Sequence, residues 1–230
     1  MSWSEGQGAK SPVSQMEVVD PQVVDALSMY KILIGTIVPR PIAFISTISK
    51  GGIVNLAPFS FFNGVASNPP SLMVSIARKP DGTMKDTLRN IKETGQFVVN
   101  SSSTWLVDPL VFSAANFGPD ESEFDLSGLT KIDSIRVKPP RVKESAVHFE
   151  CELLHAVEVG DGSAGSSTVV IGKIVLAHIM KEAINEKLHI DPEVLQPLGR
   201  LGGTTYSTLG QVFSKKVPEV EEVLKSRSPK

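Results

Sequence analysis

Apolar positions along the chain recur with a strand rhythm more often than with a helical one. Residues 41–48 (PIAFISTI) and 53–62 (IVNLAPFSFF) are rich in β-branched and aromatic side chains, and Lys50-Gly51-Gly52 separates them. Two such runs around a Gly-Gly turn predict a hairpin. Residues 71–77 (SLMVSIA) and 97–101 (FVVNS) predict two further strands. The longest β-patterned runs are 145–160 and 167–180. The first alternates through Phe149, Cys151 and Leu153, and the Gly/Ser-rich GDGSAGSST joins the two as a second hairpin.

Helical spacing is rarer. DPQVVDALSMYKIL predicts a helix capped by Asp20 with Pro21 in its first turn. Residues 83–94 (TMKDTLRNIKET) place Met84, Leu88 and Ile91 on one face, with Thr83 as cap and Gly95 as stop. Residues 105–117 predict one helix or two short ones interrupted at Pro109, and Pro192 starts another short helix ahead of the loop GRLGG. The stretch 118–145 is rich in Pro, Gly and charge and predicts few elements. Because strands do not alternate regularly with helices, a doubly wound sheet is disfavoured. The pattern predicts a mainly β fold, a closed antiparallel barrel with peripheral helices. It divides the chain into a flexible N-terminal segment (1–18), one domain (19–214) and a charged, exposed tail (215–230), with no internal repeat.

Composition narrows the partners. With 230 residues and 41% apolar content the chain can bury a single core. A net charge of −2 gives no global pull toward nucleic acid or a membrane surface. The single cysteine, Cys151, forbids an intrachain disulfide and sits in an alternating run as a core thiol. His148, His155, His178 and His189 show no metal-ligand spacing, so no metal is expected. The first residues lack the apolar stretch of a signal peptide and no run of 18 apolar residues exists. A soluble cytoplasmic protein is the expectation.

The chain carries no GxSxG, HExxH, CxxC or Walker motif. A protein without acid, base or metal machinery often leaves the hard step to a cofactor, so no side chain is assigned a catalytic role. Four segments could build a cofactor site. Ser46 and Thr47 end an apolar strand with hydroxyls, suited either to a ligand or to satisfying turn backbone. Ala57, Pro58, Phe59, Ser60, Phe61 and Phe62 surround one hydroxyl with three flat rings, suited either to a planar ligand or to the barrel core. Lys85, Asp86 and Thr87 open a helix, where free N–H groups and the dipole favour a phosphate; a solvated surface helix is the alternative. Arg200 and Tyr206 flank the Gly-rich GRLGG turn, which could approach a ligand or simply be exposed.

Five motifs in order, VPRPIAFIST, VNLAPFSFFN, NPPSLMVSIA, KDTLRNIKETGQFVVN and RLGGTTY, resemble the flavin reductase-like, FMN-binding split-barrel family. The likeness is strongest to its nitrilotriacetate monooxygenase reductase-component and flavoredoxin branch, and runs from about residue 30 to about residue 213. The resemblance implies a six-stranded split barrel, a homodimer and FMN near the dimer interface. It places Ser46 and Thr47 near the flavin, residues 57–62 along the isoalloxazine, and Lys85, Asp86 and Thr87 beside the phosphate and ribityl chain. Arg200 and Tyr206 fall in a C-terminal segment near the site, and Arg40, between two prolines, is structural. The implied chemistry is hydride transfer from NADH or NADPH to flavin N5, with electrons passed on to an oxygenase or another acceptor protein. The alternative is an FMN-carrying electron-transfer protein without nicotinamide activity.

Overall fold

The computed structural model describes residues 8–9, 11–118 and 120–227; the expectations for residues 1–7 and for the last three of the tail lie outside the described residues. The first helix, α1 (Ala26–Thr36), starts later than its sequence suggests. Asp20 only closes a turn with the N–H of Gln22, whereas Asp25 accepts from both the backbone N–H (2.9 Å) and the hydroxyl (2.6 Å) of Ser28. Two bonds to one residue make Asp25 the cap.

Next come β1 (Arg40–Pro41), β2 (Ala43–Ile48), β3 (Val54–Phe59), β4 (Phe62–Ser67) and β5 (Pro70–Ala77). Helix α2 (Asp86–Thr94) leads into β6 (Gln96–Ser101), and Gly95 closes it at φ 72°. After a short turn, α3 (Val107–Phe112) forms with Pro109 inside its first turn. The missing N–H of proline has no intrahelical partner to lose there, so Pro109 does not interrupt the helix. Then follow α4 (Glu123–Ser127), β7 (Lys131–Ile132), β8 (Arg141–Val142), and the long hairpin of β9 (Val147–Val159) and β10 (Ser167–Ile179). The chain ends with α5 (Pro192–Leu195), β11 (Gly199–Arg200), β12 (Tyr206–Ser207) and α6 (Val220–Arg227). The last helix lies where the sequence predicts only an exposed tail; Glu221 and Glu222 in its first turn complement the helix dipole. Among the described residues no helix is long and apolar enough to cross a membrane.

The expected antiparallel barrel with peripheral helices is present. Its sheet runs β3-β2-β6-β9-β10-β5-β4, seven strands where the resemblance implies six. The extra strand, β4, is mostly exposed and reads FNGVAS, a sequence with no apolar run to announce it. The two edge strands, β3 and β4, are joined by only Ser60 and Phe61, and the N–H of Ser75 reaches the Phe61 carbonyl at 2.8 Å. The sheet therefore curls until its edges meet at that corner. Strand alternation sends Ala43, Ile45, Val74, Ile76, Phe97 and Val99 to the interior, and α2 plugs one end with Leu88 and Ile91. Gly172 faces the Phe97 ring closely enough that any side chain there would collide with it. Cys151 belongs to the same core, and burial pushes its thiol up, so it is an inert packing group. A second cluster, with Ile42, Phe44, Leu56, Leu110 and Phe124, covers the outer face of β2 and β3.

The irregular segment around β7 and β8 is pinned to the outer face of β6 and β9. Asn100 accepts the N–H of Val142 (2.9 Å) on its side-chain oxygen and donates its amide to the Phe44 carbonyl (2.9 Å). The same oxygen lies 2.9 Å from Nδ1 of His148, so the imidazole must be the donor there. Burial first, then the nearby charges of Arg141 and His178, push His148 down to about 4. It is neutral in the fold and protonates in the unfolded chain near its ordinary value, so stability is full above that value and falls as pH drops toward 4. Between pH 7 and pH 4.5 this single group should cost about 2–3 kcal/mol. His148→Asn keeps a donor near the Nδ1 position and removes the titration. Urea unfolding at the two pH values should show a correspondingly smaller acid loss in the variant; equal losses in both proteins would mean His148 is not held neutral.

Candidate functional site

A cleft of about 310 Å³ lies between β3, the start of α2, and the segment 113–117 that follows α3. Its construction begins at a tight turn. The N–H of Gly82 bonds the Lys79 carbonyl, and the Asp81 carboxylate takes both the N–H (2.9 Å) and the hydroxyl (2.6 Å) of Thr83. Thr83 is thus engaged by Asp81 and is not the helix cap. Lys85 occupies the cap position with extended backbone and makes no side-chain capping bond. The first backbone bond of α2 runs from Arg89 N–H to the Lys85 carbonyl. The N–H groups of Asp86, Thr87 and Leu88 therefore precede the helical ladder, at the positive end of the dipole.

Charge in the cleft is divided between fixed and free groups. Asp86 is held by Lys79 at 3.3 Å and by Arg89. Thr87 accepts the Asn55 amide at 2.9 Å, which leaves its hydroxyl proton available to a ligand. Lys85 lies 5.9 Å from the Phe59 ring centre; burial, and then Lys79, lower its pKa, so a bound anion would relieve both effects. Glu123, at the first position of α4, accepts the Leu56 N–H at 3.0 Å, and burial raises its pKa. Ala57, Pro58, Phe59 and Phe117 supply apolar surface. The cleft thus joins flat apolar walls to a cationic helix start, which is what a planar ring carrying a phosphate requires.

Six of the thirteen residues singled out from sequence meet here: Ala57, Pro58, Phe59, Lys85, Asp86 and Thr87. The others lie elsewhere in the single chain. Ser46 and Thr47 are wholly buried. The Ser46 hydroxyl donates to the Pro140 carbonyl (2.5 Å), and Thr47 accepts from the Asn90 amide (3.0 Å). Ser60 accepts from Arg40 at 3.2 Å, Phe61 lies beneath the same guanidinium, and Phe62 packs against the barrel core. Arg200 stacks on Tyr206 at 4.3 Å and donates to the Gly203 carbonyl, away from the cleft. Sequence reasoning missed Lys79, Glu123 and the wall from Ser113 to Phe117. Asn55 lies inside the VNLAPFSFFN motif without being assigned to the site, and Lys79 falls just ahead of the α2 segment. Glu123 stands in the acidic run ESEFD, which carries no periodicity to mark it.

Comparisons with known proteins converge on this architecture. The sequence profile of the flavin reductase like domain matches residues 34–198. An uncharacterized protein from Aquifex aeolicus is 42% identical over 182 residues, 79% of this chain and 90% of its own. Nitrilotriacetate monooxygenase component B from Bacillus cereus superposes with a TM-score of 0.84 at 40% identity, covering 88% of this chain and all of that one. The 2-nitrobenzoate 2-nitroreductase of Pseudomonas fluorescens superposes with a TM-score of 0.80 at 28% identity, covering 89% and 98%.

Proposed function

Because the chain belongs to the flavin reductase-like family, we propose that it binds FMN in the cleft at the start of α2 and reduces it with NADH or NADPH. The observation that carries the reading is the uncapped start of α2, with Lys85 half-buried beside apolar walls. Lys85 and the amides of Asp86, Thr87 and Leu88 hold the phosphate, whose charge near −2 needs this compensation. The Thr87 hydroxyl adds a donor, and Asn55 fixes its direction. Ala57, Pro58 and Phe59 bear on the flat ring and keep water from one face. FMN would supply a two-electron acceptor, and the protein's work is to position it.

The likeness to a monooxygenase component suggests that the electrons leave through an oxygenase partner. A homodimer is part of the proposal. Helix α1 turns Leu27, Tyr30, Leu33 and Ile37 outward at helical spacing, an apolar face that a second copy would cover.

The test is anaerobic. Flavin absorbance that appears on adding FMN and bleaches with a pyridine nucleotide supports the reductase. Bound flavin that stays oxidised with both nucleotides favours an electron carrier. Lys85→Ala should weaken FMN by roughly 10- to 100-fold, the value of one charged hydrogen bond. Its thermal midpoint should not move, since the side chain makes no capping bond. Unchanged FMN affinity would remove Lys85 from the site.

A further inference from the structure

A second cavity, of about 330 Å³, opens on the outer face of β9 and β10 beside β8, and it shares no lining residue with the first. One wall is apolar, made by Trp105, Ile179 and Met180. The indole N–H of Trp105 is fixed on the Glu144 carbonyl at 2.9 Å, so the ring is held in place.

The lining also carries two cations. Arg141 spends Nε and Nη2 on the Asp133 carbonyl, which leaves Nη1 to face a ligand. Among the described residues Lys143 makes no ion pair. The single acidic residue of the lining, Glu144, has both carboxylate oxygens on the N–H of Thr130, at 3.0 and 3.1 Å. Of the two histidines, His178 is bound to Glu150, and His148 donates through Nδ1 to Asn100 and so keeps Nε2 as an acceptor.

Ser145 adds an independent sign. The residue lines the cavity and is 6% exposed, and its hydroxyl is buried with no hydrogen-bond partner in the protein. Buried hydroxyls are paired in nearly all native structures, because leaving one unpaired is costly.

We propose that this cavity binds a small aromatic carboxylate. Arg141 and Lys143 hold its carboxylate, Trp105, Ile179 and Met180 pack its ring, and a turn of Ser145 about χ1 brings its unpaired hydroxyl out to the ligand. The volume sits at the lower end for small-molecule sites, which suits one ring and one charged group. A bare inorganic anion would meet the cations and leave the apolar wall facing water. The site does not depend on the flavin reading.

The chain has two tryptophans, Trp3 and Trp105, so in a Trp3→Phe background fluorescence reports the cavity alone. Benzoate should quench it saturably in the full-length protein, and inorganic phosphate should compete only weakly. Lys143→Gln should weaken benzoate about tenfold, as expected for loss of one charged contact. Ser145→Ala should also weaken it while leaving the thermal midpoint unchanged or raised, because the hydroxyl has no protein partner to lose. Absence of saturable quenching overturns the site. Phosphate binding as tight as benzoate binding overturns the ligand class. Wild-type affinity in both variants removes the residues assigned to it.

Discussion

Glu150→Ala should destabilise the fold by about 3–5 kcal/mol, because it removes a buried carboxylate that accepts from four donors. The carboxylate is wholly buried on the outer face of β9. One oxygen accepts the N–H of Ile135 (2.9 Å) and Nε2–H of His178 (2.7 Å); the other accepts the N–H groups of Arg136 (2.5 Å) and Val137 (3.2 Å). Alanine leaves three backbone donors and one imidazole without an acceptor in a place that water reaches poorly. Glu150→Gln keeps the shape and one oxygen but turns an NH₂ toward two donors, so its cost should fall between alanine and wild type. Burial raises the Glu150 pKa, yet the amides of Ile135, Arg136 and Val137 together with His178 outweigh it and hold the carboxyl below its ordinary value. The stability gained is present above the unfolded pKa and lost as pH falls through the folded one. The penalty of both variants should accordingly be largest near neutrality and shrink in acid. Urea titration of the three proteins decides it. An alanine variant within about 1 kcal/mol of wild type would mean the nest relaxes and carries little energy.

That cluster also shows where the sequence stops speaking. The strands of β2, β3, β5, β6, β9 and β10 announce themselves because a barrel strand must alternate, or run apolar when both faces are covered, as β2 is by Ile45 inside and Phe44 outside. The elements missed lack such a face: β4 is mostly exposed, and α6 lies in a charged tail. Helix starts shifted for a different reason. Asp20 and Asp25 both bond the chain a few residues on and differ only in the second bond Asp25 makes to Ser28, while Asp81 takes Thr83 away from the helix start. The cleft was half legible. Its walls on β3 and α2 come from contiguous motifs, whereas Glu123 and the segment 113–117 reach it through the fold of an aperiodic stretch. Glu150 reads in sequence as the polar half of an alternation, a position usually given to solvent; only the irregular segment laid over it makes it an anchor.

Arg40→Met should cost about 3–5 kcal/mol, because one side chain serves four acceptors in a site closed to solvent. The residue is 5% exposed. Its guanidinium donates to the carbonyls of Ile34 (2.5 Å), Ile37 (3.2 Å) and Leu201 (3.0 Å) and to the Ser60 hydroxyl (3.2 Å), and it lies over the Phe61 ring at 5.9 Å. No carboxylate is among these partners, and burial acts against the charge. The arrangement holds because three carbonyls and a hydroxyl from three chain segments replace water around a fork that never deprotonates. It joins the end of α1, the corner where the barrel edges meet, and the GRLGG loop. The tie matters most for α1, which buries only Ile34 among its side chains and has little else to dock with. Methionine keeps the volume and removes all four donors. Arg40→Lys keeps the charge but cannot reach acceptors that diverge in direction, so it should recover less than half of the loss. Hydrogen exchange distinguishes the local from the global effect: amides of α1 should open first in Arg40→Met, ahead of those in β6 and β9. If α1 keeps wild-type protection and the variant unfolds at the wild-type urea concentration, the Arg40 tie does not hold the helix, and its outward apolar residues Leu27, Tyr30 and Leu33 are the next place to look.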